Sequence, residues 1–247
     1  ITLAHVLAHP EQPWNWSYLS ANPNITFDSF LAHPNKPWDW DWLSLNPNIT
    51  FDIVQSYSEQ PWNWDCLSAN PNITFEHVLA HPKQPWDWDS LSHHPNITLE
   101  HVLAHPNKSW NWIWLSRNPN VTFDSVIAHP EQPWCWCDLS ANPNITLKHV
   151  LFHLDKTWNW WLLSQHPNIT IDSVIAHPEQ PWDWNGLSQN PNITFEHIQN
   201  HPEQPWDWSR ISLNTFIKAK QNFVEKKYKE YLSAYRIQQC WNRAISN

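Results

Sequence analysis

Glycine and methionine are almost missing from this chain of 247 residues: Gly186 is the one glycine, and methionine does not occur. With one glycine, the chain has no glycine-rich phosphate loop, collagen-like array or flexible glycine linker. No apolar run approaches the roughly 18 residues that a membrane-spanning helix needs, so we expect no membrane segment. Because methionine is absent and Ile1 is the first position of a repeat, either the start is missing or processed or the array continues upstream, and we expect a fragment.

Cysteine is also scarce, and its four positions do not follow the repeat described below: Cys66, Cys135, Cys137 and Cys240. A disulfide or structural zinc that stabilised a repeat would recur with it. The pattern therefore predicts free thiols in a reducing compartment and no cofactor.

Positive charge is rare in the first 216 residues, which carry 7 Lys or Arg against 21 Asp or Glu. Such an acidic surface does not match a phosphate backbone, so we do not expect nucleic acid as a partner. The last 31 residues are different, with 7 Lys or Arg against 2 acids.

What the chain does contain is one motif, repeated without insertion. Aligned on Ile-Thr, Ile1–Phe216 forms nine repeats of 24 residues, and Ile217–Asn247 follows as a separate tail. Strict periodicity of this length indicates a stack of similar units, each of which packs against its neighbours. We predict an all-α fold: an α-solenoid of nine two-helix repeats (1–216) with a C-terminal helical cap (217–247).

The repeat Ile73–Asn96 shows why two short helices are expected. Thr74 suits an N-cap, and Phe75, Val78 and Leu79 stand at i, i+3 and i+4 on one helical face. His81-Pro82 ends this first helix because the residue before proline avoids the α region. Pro85 is expected to open the second helix as its first residue, and His94-Pro95 to end it.

The tryptophans are the most distinctive recurring residues. Within a helix Trp86 and Trp88 would point about 200° apart, so one face cannot bury both. We predict that one packs inside its own repeat and the other against a neighbour, as core rather than as exposed platforms for bases or sugars. The predicted core residues are Trp14, Trp16, Trp38, Trp40, Val78, Trp86, Trp88 and Leu91.

Histidine recurs at the fifth and ninth positions, which gives His-x3-His pairs such as His77/His81 and His101/His105. This spacing can bind zinc or copper on a helix. The second histidine, however, sits where the helix ends, and no third ligand recurs nearby. Our main interpretation is a C-terminal histidine that contacts the last carbonyls, with metal binding as the alternative.

No catalytic group stands out from the repeat. The acids Asp28, Asp52, Glu76 and Asp87 recur in first turns, where the helix dipole explains them. Asn-Ile-Thr recurs at Asn24, and each copy is formally a glycosylation sequon, but the same threonine caps a helix; we interpret it as turn chemistry. The sequence therefore predicts a protein that is not an enzyme.

Two segments, Pro37–Asp52 and His177–Glu196, resemble the tryptophan-rich PWxW…LSxNPNIT tandem repeats encoded by giant DNA viruses of amoebae. The ending Leu232–Asn247 also resembles the ending of those proteins. In that family the first helix often reads WDIV, whereas here it mostly begins with Phe or Leu and contains His. The resemblance implies a viral protein, in the virion or in the host cytoplasm, and no specific mechanism.

We therefore predict a structural or protein-binding scaffold that contacts its partner through positions that vary between repeats. The predicted partner-binding residues are His5, Tyr18, Ser29, Trp42, Cys66, His77, Ser90 and His93. Two alternatives remain: a virion component that assembles end to end through its open first repeat, and a metal- or nucleic-acid-binding array.

Overall fold

The computed structural model describes residues 1–214, and the predicted cap at 217–247 lies outside them. These residues form 18 short α-helices and no strand, so the all-α solenoid prediction is confirmed. The structure has two compact bodies, which we call the N-terminal body (Ile1–Cys135) and the C-terminal body (from Trp136).

Each repeat contributes one helix from its first half and one from its second half. The first helices are α1 (Leu3–Ala8), α3 (Phe27–Ala32), α5 (Phe51–Ser56), α7 (Phe75–Ala80), α9 (Leu99–Ala104), α11 (Phe123–Ala128), α13 (Leu147–Phe152), α15 (Ile171–Ala176) and α17 (Phe195–Asn200). The second helices are α2 (Trp16–Ser20), α4 (Trp40–Leu45), α6 (Trp64–Ser68), α8 (Trp88–His93), α10 (Trp112–Arg117), α12 (Trp136–Leu139), α14 (Trp160–Gln165), α16 (Trp184–Gln189) and α18 (Trp208–Leu213).

The first helix begins and ends where the sequence indicates. Thr74 is the N-cap of α7 in an extended conformation, and His81 is its C-cap. The predicted apolar face is only partly buried: Phe75 and Val78 are in the core, but Leu79 is 39% exposed. A helix of six residues has only a narrow face in contact with its neighbours. Phe75 and Val78 lie on that face of α7, and Leu79 lies outside it.

The prediction that Pro85 opens the second helix is wrong. Helix α8 begins at Trp88, and its N-cap is Asp87, whose carboxylate accepts the N–H groups of Asp89 at 3.3 Å and Ser90 at 3.0 Å. Pro85 and Trp86 precede the helix in a turn, in which the Trp86 N–H donates to the carbonyl of Gln84 at 2.9 Å. An aspartate that satisfies two first-turn donors stabilises this start, and the proline only prepares the turn.

Packing between second helices holds each stack together. In the N-terminal body α2 packs on α4, α4 on α6, α6 on α8 and α8 on α10, while α14, α16 and α18 follow one another in the C-terminal body. Because helices of four to six residues are unstable alone, these contacts between repeats supply the stability. None of the helices in residues 1–214 has the length and apolarity that a membrane crossing requires.

Candidate functional site

Most recurring residues are used in contacts between repeats. The second tryptophan of each pair meets the first tryptophan of the next repeat edge to face, with ring centroids 4.9–5.2 Å apart and planes at 87–89°. Trp64 and Trp86 form one such pair. Edge-to-face geometry brings the positive ring edge to the negative ring face, which adds about 0.5–1.5 kcal/mol to the burial of the rings.

The first tryptophan is also tied to its own repeat. Its indole Nε1–H donates to the carbonyl five residues earlier at 2.8–3.0 Å, as Trp86 does to His81. Of the predicted core residues, the structure buries Trp38, Val78, Trp86 and Leu91 and half-buries Trp14, Trp16, Trp40 and Trp88. Both tryptophans of a pair therefore take part in contacts between repeats.

Buried serine and asparagine form a second connection that the sequence did not indicate. The hydroxyl of Ser68 donates to the Trp64 carbonyl at 2.8 Å and accepts the Asp87 N–H at 2.9 Å. The amide of half-buried Asn72 donates to the carbonyl of Pro47 in the preceding repeat at 2.7 Å and to that of Ile49, the first residue of its own repeat, at 2.9 Å. Asparagine of the Asn-Ile-Thr motif thus links repeats, in addition to its place in the turn.

The His-x3-His pairs contact an aromatic ring and their own helix. His77 stacks on Phe51 of the preceding repeat at 4.6 Å, and His81 meets the same ring at 4.8 Å. The Nδ1 atom of His77 accepts the Thr74 N–H at 3.1 Å, and His81 Nδ1 lies 3.1 Å from the His77 carbonyl. His101 repeats the arrangement: it stacks on Phe75 at 4.8 Å, and its Nδ1 accepts the Thr98 N–H.

Metal binding by these pairs would need further ligands. Within residues 1–214, no group of three or more His, Cys, Asp and Glu side chains could hold a metal ion. His105, the partner of His101, packs edge-on against Phe75 at 5.2 Å.

The predicted partner-binding residues lie on two different kinds of helix. His5, Ser29 and His77 are on first helices, where His77 is half-buried against Phe51. Tyr18, Trp42, Cys66, Ser90 and His93 are on second helices.

Two of the second-helix residues contact each other across a repeat boundary. The rings of Tyr18, 69% exposed, and Trp42, 40% exposed, are 6.2 Å apart. Cys66 occupies the same repeat position and is half-buried. Burial raises the pKa of its thiol, and the negative charges of Asp41, Asp65 and Asp39 raise it further.

A groove of about 400 Å³ lies farther along these second helices, and predicted residues Ser90 and His93 both line it. Its other walls include Ala69, Asp89 and Trp114. The His93 and Trp114 rings are 5.4 Å apart, and the Arg117 guanidinium lies 5.6 Å from the centroid of Trp114. We call the residues Tyr18, Trp42, Ser90, His93 and Trp114 the second-helix face.

One histidine that lines this groove, His94, is buried. His94 Nε2 donates to the Asn70 carbonyl at 2.9 Å, and its Nδ1 accepts the Asn96 N–H at 3.1 Å. Burial lowers the pKa of His94, and the hydrogen bond to Asn70 opposes this shift only in part. The neutral ring is therefore the form that fits, with one nitrogen as donor and the other as acceptor.

Five of the seven residues that line the groove are absent from the predicted partner-binding set, among them Trp114 and Asp89. Trp114 occupies the eighteenth position of its repeat, equivalent to Tyr18 and Trp42, so the repeat alignment already contained the signal. Asp89 is at the seventeenth position, where Asp41 and Asp65 are also exposed.

No protein-family model, curated protein or solved structure matches this chain.

Proposed function

We propose that the chain is a non-enzymatic scaffold that binds a protein partner through the second-helix face. The observation that carries the proposal is that recurring and variable residues of each repeat have different contacts. Recurring Trp, Ser, Asn and His residues are committed to contacts between repeats. The eighteenth position (as at Tyr18 and Trp42) and the twenty-first (as at His93) vary instead, and their side chains keep exposed surface beyond the contacts that they make with one another. Tyr18, Trp42 and Trp114 are exposed there.

The chemistry of the second-helix face supports a protein partner. Exposed tryptophan and tyrosine are enriched where proteins bind one another, because each offers a large apolar surface with a polar edge. The groove beside Trp114 adds a concave apolar wall with Asp89 and His93 at its rim. Such a surface fits an aliphatic or aromatic side chain that is flanked by polar groups.

The sequence resemblance suggests where this scaffold acts. We propose a protein of a giant DNA virus of amoebae, located in the virion or in the host cytoplasm. This part of the proposal is supported by Pro37–Asp52 and His177–Glu196 alone, and mass spectrometry of purified virions and of infected-cell cytoplasm tests it.

The binding surface can be tested with substitutions that the repeat already tolerates. Serine occurs at the eighteenth position as Ser90, so Tyr18→Ser, Trp42→Ser and Trp114→Ser together remove the aromatic surface without a foreign residue. A matched control, Leu7→Ala, Leu31→Ala and Leu79→Ala, removes exposed apolar side chains from first helices instead.

Both variants and the unmodified chain serve as baits in infected amoebae, with quantitative mass spectrometry as the readout. We expect one set of partner proteins that the serine variant loses at least tenfold and the alanine control retains. Equal recovery with the serine variant, confirmed as folded by circular dichroism, would rule out this face as the binding surface.

A further inference from the structure

In three repeats the chain places its own lysine over the second tryptophan of the preceding repeat. Lys36 Nζ lies 5.9 Å from the ring centroid of Trp16, and Lys108 Nζ lies 5.4 Å from that of Trp88. Lys156 does the same in the C-terminal body, 5.3 Å from Trp136. A cation within about 6 Å of an indole centroid is attracted by the negative charge of the ring face. This position of the repeat therefore accepts a cation.

The same position is glutamine elsewhere, and in one repeat the ring borders a groove. Gln84 is the equivalent of Lys108, and Trp64 is the equivalent of Trp88. Gln84 and Trp64 together line a groove of about 310 Å³. A glutamine amide is neutral, so the Trp64 ring face keeps the negative potential that lysine neutralises over Trp16, Trp88 and Trp136.

The groove is made by changes in the repeat Ile49–Asn72. Gln55 and Ser58 stand where most repeats have an aliphatic residue and a proline, and both line the groove. Phe51, Gln60 and Trp62 form further walls. Glutamine carbonyl and serine hydroxyl oxygens can accept hydrogen bonds from an ammonium or a guanidinium group.

Charge around the groove also favours a cation. Among the described residues that line it, none is lysine or arginine, and His81 is the one titratable side chain. The adjacent Glu59 carboxylate accepts a hydrogen bond from Gln60 Nε2 at 3.2 Å. The whole N-terminal body carries 4 Lys or Arg against 13 Asp or Glu.

We propose that the groove lined by Trp62, Trp64, Gln60 and Gln84 binds a lysine or arginine side chain from a basic segment of a partner protein. In this arrangement the incoming cation takes the place over Trp64 that Lys108 occupies over Trp88. The groove shares no residue with the second-helix face, so this inference does not depend on the proposed function.

The test uses the full chain labelled with 5-fluorotryptophan, and the Trp64 signal is assigned from a Trp64→Phe variant. The probe is Nα-acetyl-lysine methylamide, and Nα-acetyl-norleucine methylamide is its uncharged counterpart. We expect the lysine compound to shift the Trp64 signal in a saturable way and the norleucine compound to leave it in place.

One variant gives the chain its own lysine in the groove, and a matched variant adds a lysine at the same repeat position elsewhere. Gln84→Lys reproduces the register of Lys108 over Trp88 and should weaken probe binding at least tenfold. Gln132→Lys makes the same change over Trp112 and should leave binding at Trp64 unaltered. Circular dichroism and the thermal midpoint establish that both variants fold.

Two results would overturn the proposal: equal binding to the Gln84→Lys and Gln132→Lys variants, or an equal response of Trp64 to norleucine. Either would mean that the ring face does not select a cation. The proposal is supported if Gln84→Lys loses probe binding, Gln132→Lys retains it, and the Trp64 signal does not respond to the norleucine compound.

Discussion

The side-chain nitrogen of Asn70 lies 2.7 Å from the carbonyl oxygen of Ser44, which belongs to the preceding repeat. The same amide donates a second bond to the carbonyl of Asn46 at 3.1 Å, and Asn70 is fully buried. Equivalent asparagines occupy this position in other repeats, for example Asn46 and Asn190. A buried amide that binds backbone of the neighbouring repeat sets the register between the two.

Replacement of Asn70 by alanine should therefore destabilise the chain by about 1–3 kcal/mol, because the Ser44 carbonyl loses the donated bond and the Asn72 N–H loses its acceptor, the Asn70 amide oxygen. Asn70→His should cost less, since His94 occupies the equivalent position and donates to a backbone carbonyl at 2.9 Å. Urea unfolding of the full chain measures both. The exposed Asn35→Ala is the control, and an Asn70→Ala variant no less stable than Asn35→Ala would contradict the prediction.

The Trp64–Trp86 contact should appear as a coupling energy. We expect Trp64→Leu and Trp86→Leu to be non-additive by about 0.5–1.5 kcal/mol, the range found for edge-to-face pairs. Trp16→Leu with Trp86→Leu is the control pair, since Trp16 contacts Trp38 instead, and these two should add within about 0.5 kcal/mol. Each pair is measured as a double-mutant cycle by urea unfolding. A similar coupling energy for both pairs would mean that the edge-to-face contact is not the cause of the non-additivity.

Acidic pH should destabilise the fold through its two buried histidines. Burial lowers the pKa values of His94 and His166 below the ordinary 6.5. As the pH falls below about 6.5, the unfolded chain takes up protons that the folded histidines exclude, so the free energy of unfolding decreases until the pH reaches the folded pKa values.

The variant His94→Asn with His166→Asn tests this origin, because asparagine occurs at the same position in other repeats. Chemical unfolding between pH 8 and pH 5 should show a shallower loss of stability in the variant than in the original chain. An identical pH profile in the two proteins would assign the acid sensitivity to other groups.

Gly186→Ala should be destabilising although alanine favours helices. An added Cβ would lie 2.9 Å from Ser164 Cβ and 2.9 Å from the backbone oxygen of Trp161. Overpacking costs about 1–3 kcal/mol, more than the roughly 1 kcal/mol that alanine contributes in a helix interior. Asn185→Ala, exposed in the same helix, is the control, and thermal unfolding compares the two. Gly186→Ala with stability equal to or above that of the original chain would contradict this account.

The first helices could be predicted in detail because their signals are local. Thr74 caps α7 and His81-Pro82 ends it, and each signal concerns residues within one turn of the chain. The sequence does not decide where α8 starts, because Pro85 and Asp87 both favour the start of a helix. The hydrogen bonds that Asp87 accepts from Asp89 and Ser90 show that Asp87 is the N-cap.

The candidate surface could be predicted only in part. Variation between repeats singles out Ser90 and His93, and the structure places both of them in the wall of one groove. The same variation gave equal weight to His77, which stacks on Phe51 at 4.6 Å, because a list of variable positions does not show which side chains a neighbouring repeat covers.

By itself, the sequence determined the period, the two helices of each repeat and the acidic, glycine-poor character of the chain, since these follow from local capping, proline and composition. Only the tertiary structure decided the partner of each tryptophan, the role of buried asparagine and the exposure of Leu79 and Trp114. Those depend on how closely one repeat approaches the next. That distance is set by side chains about 24 residues apart, such as Trp64 and Trp86 at 4.9 Å, and no local pattern specifies it.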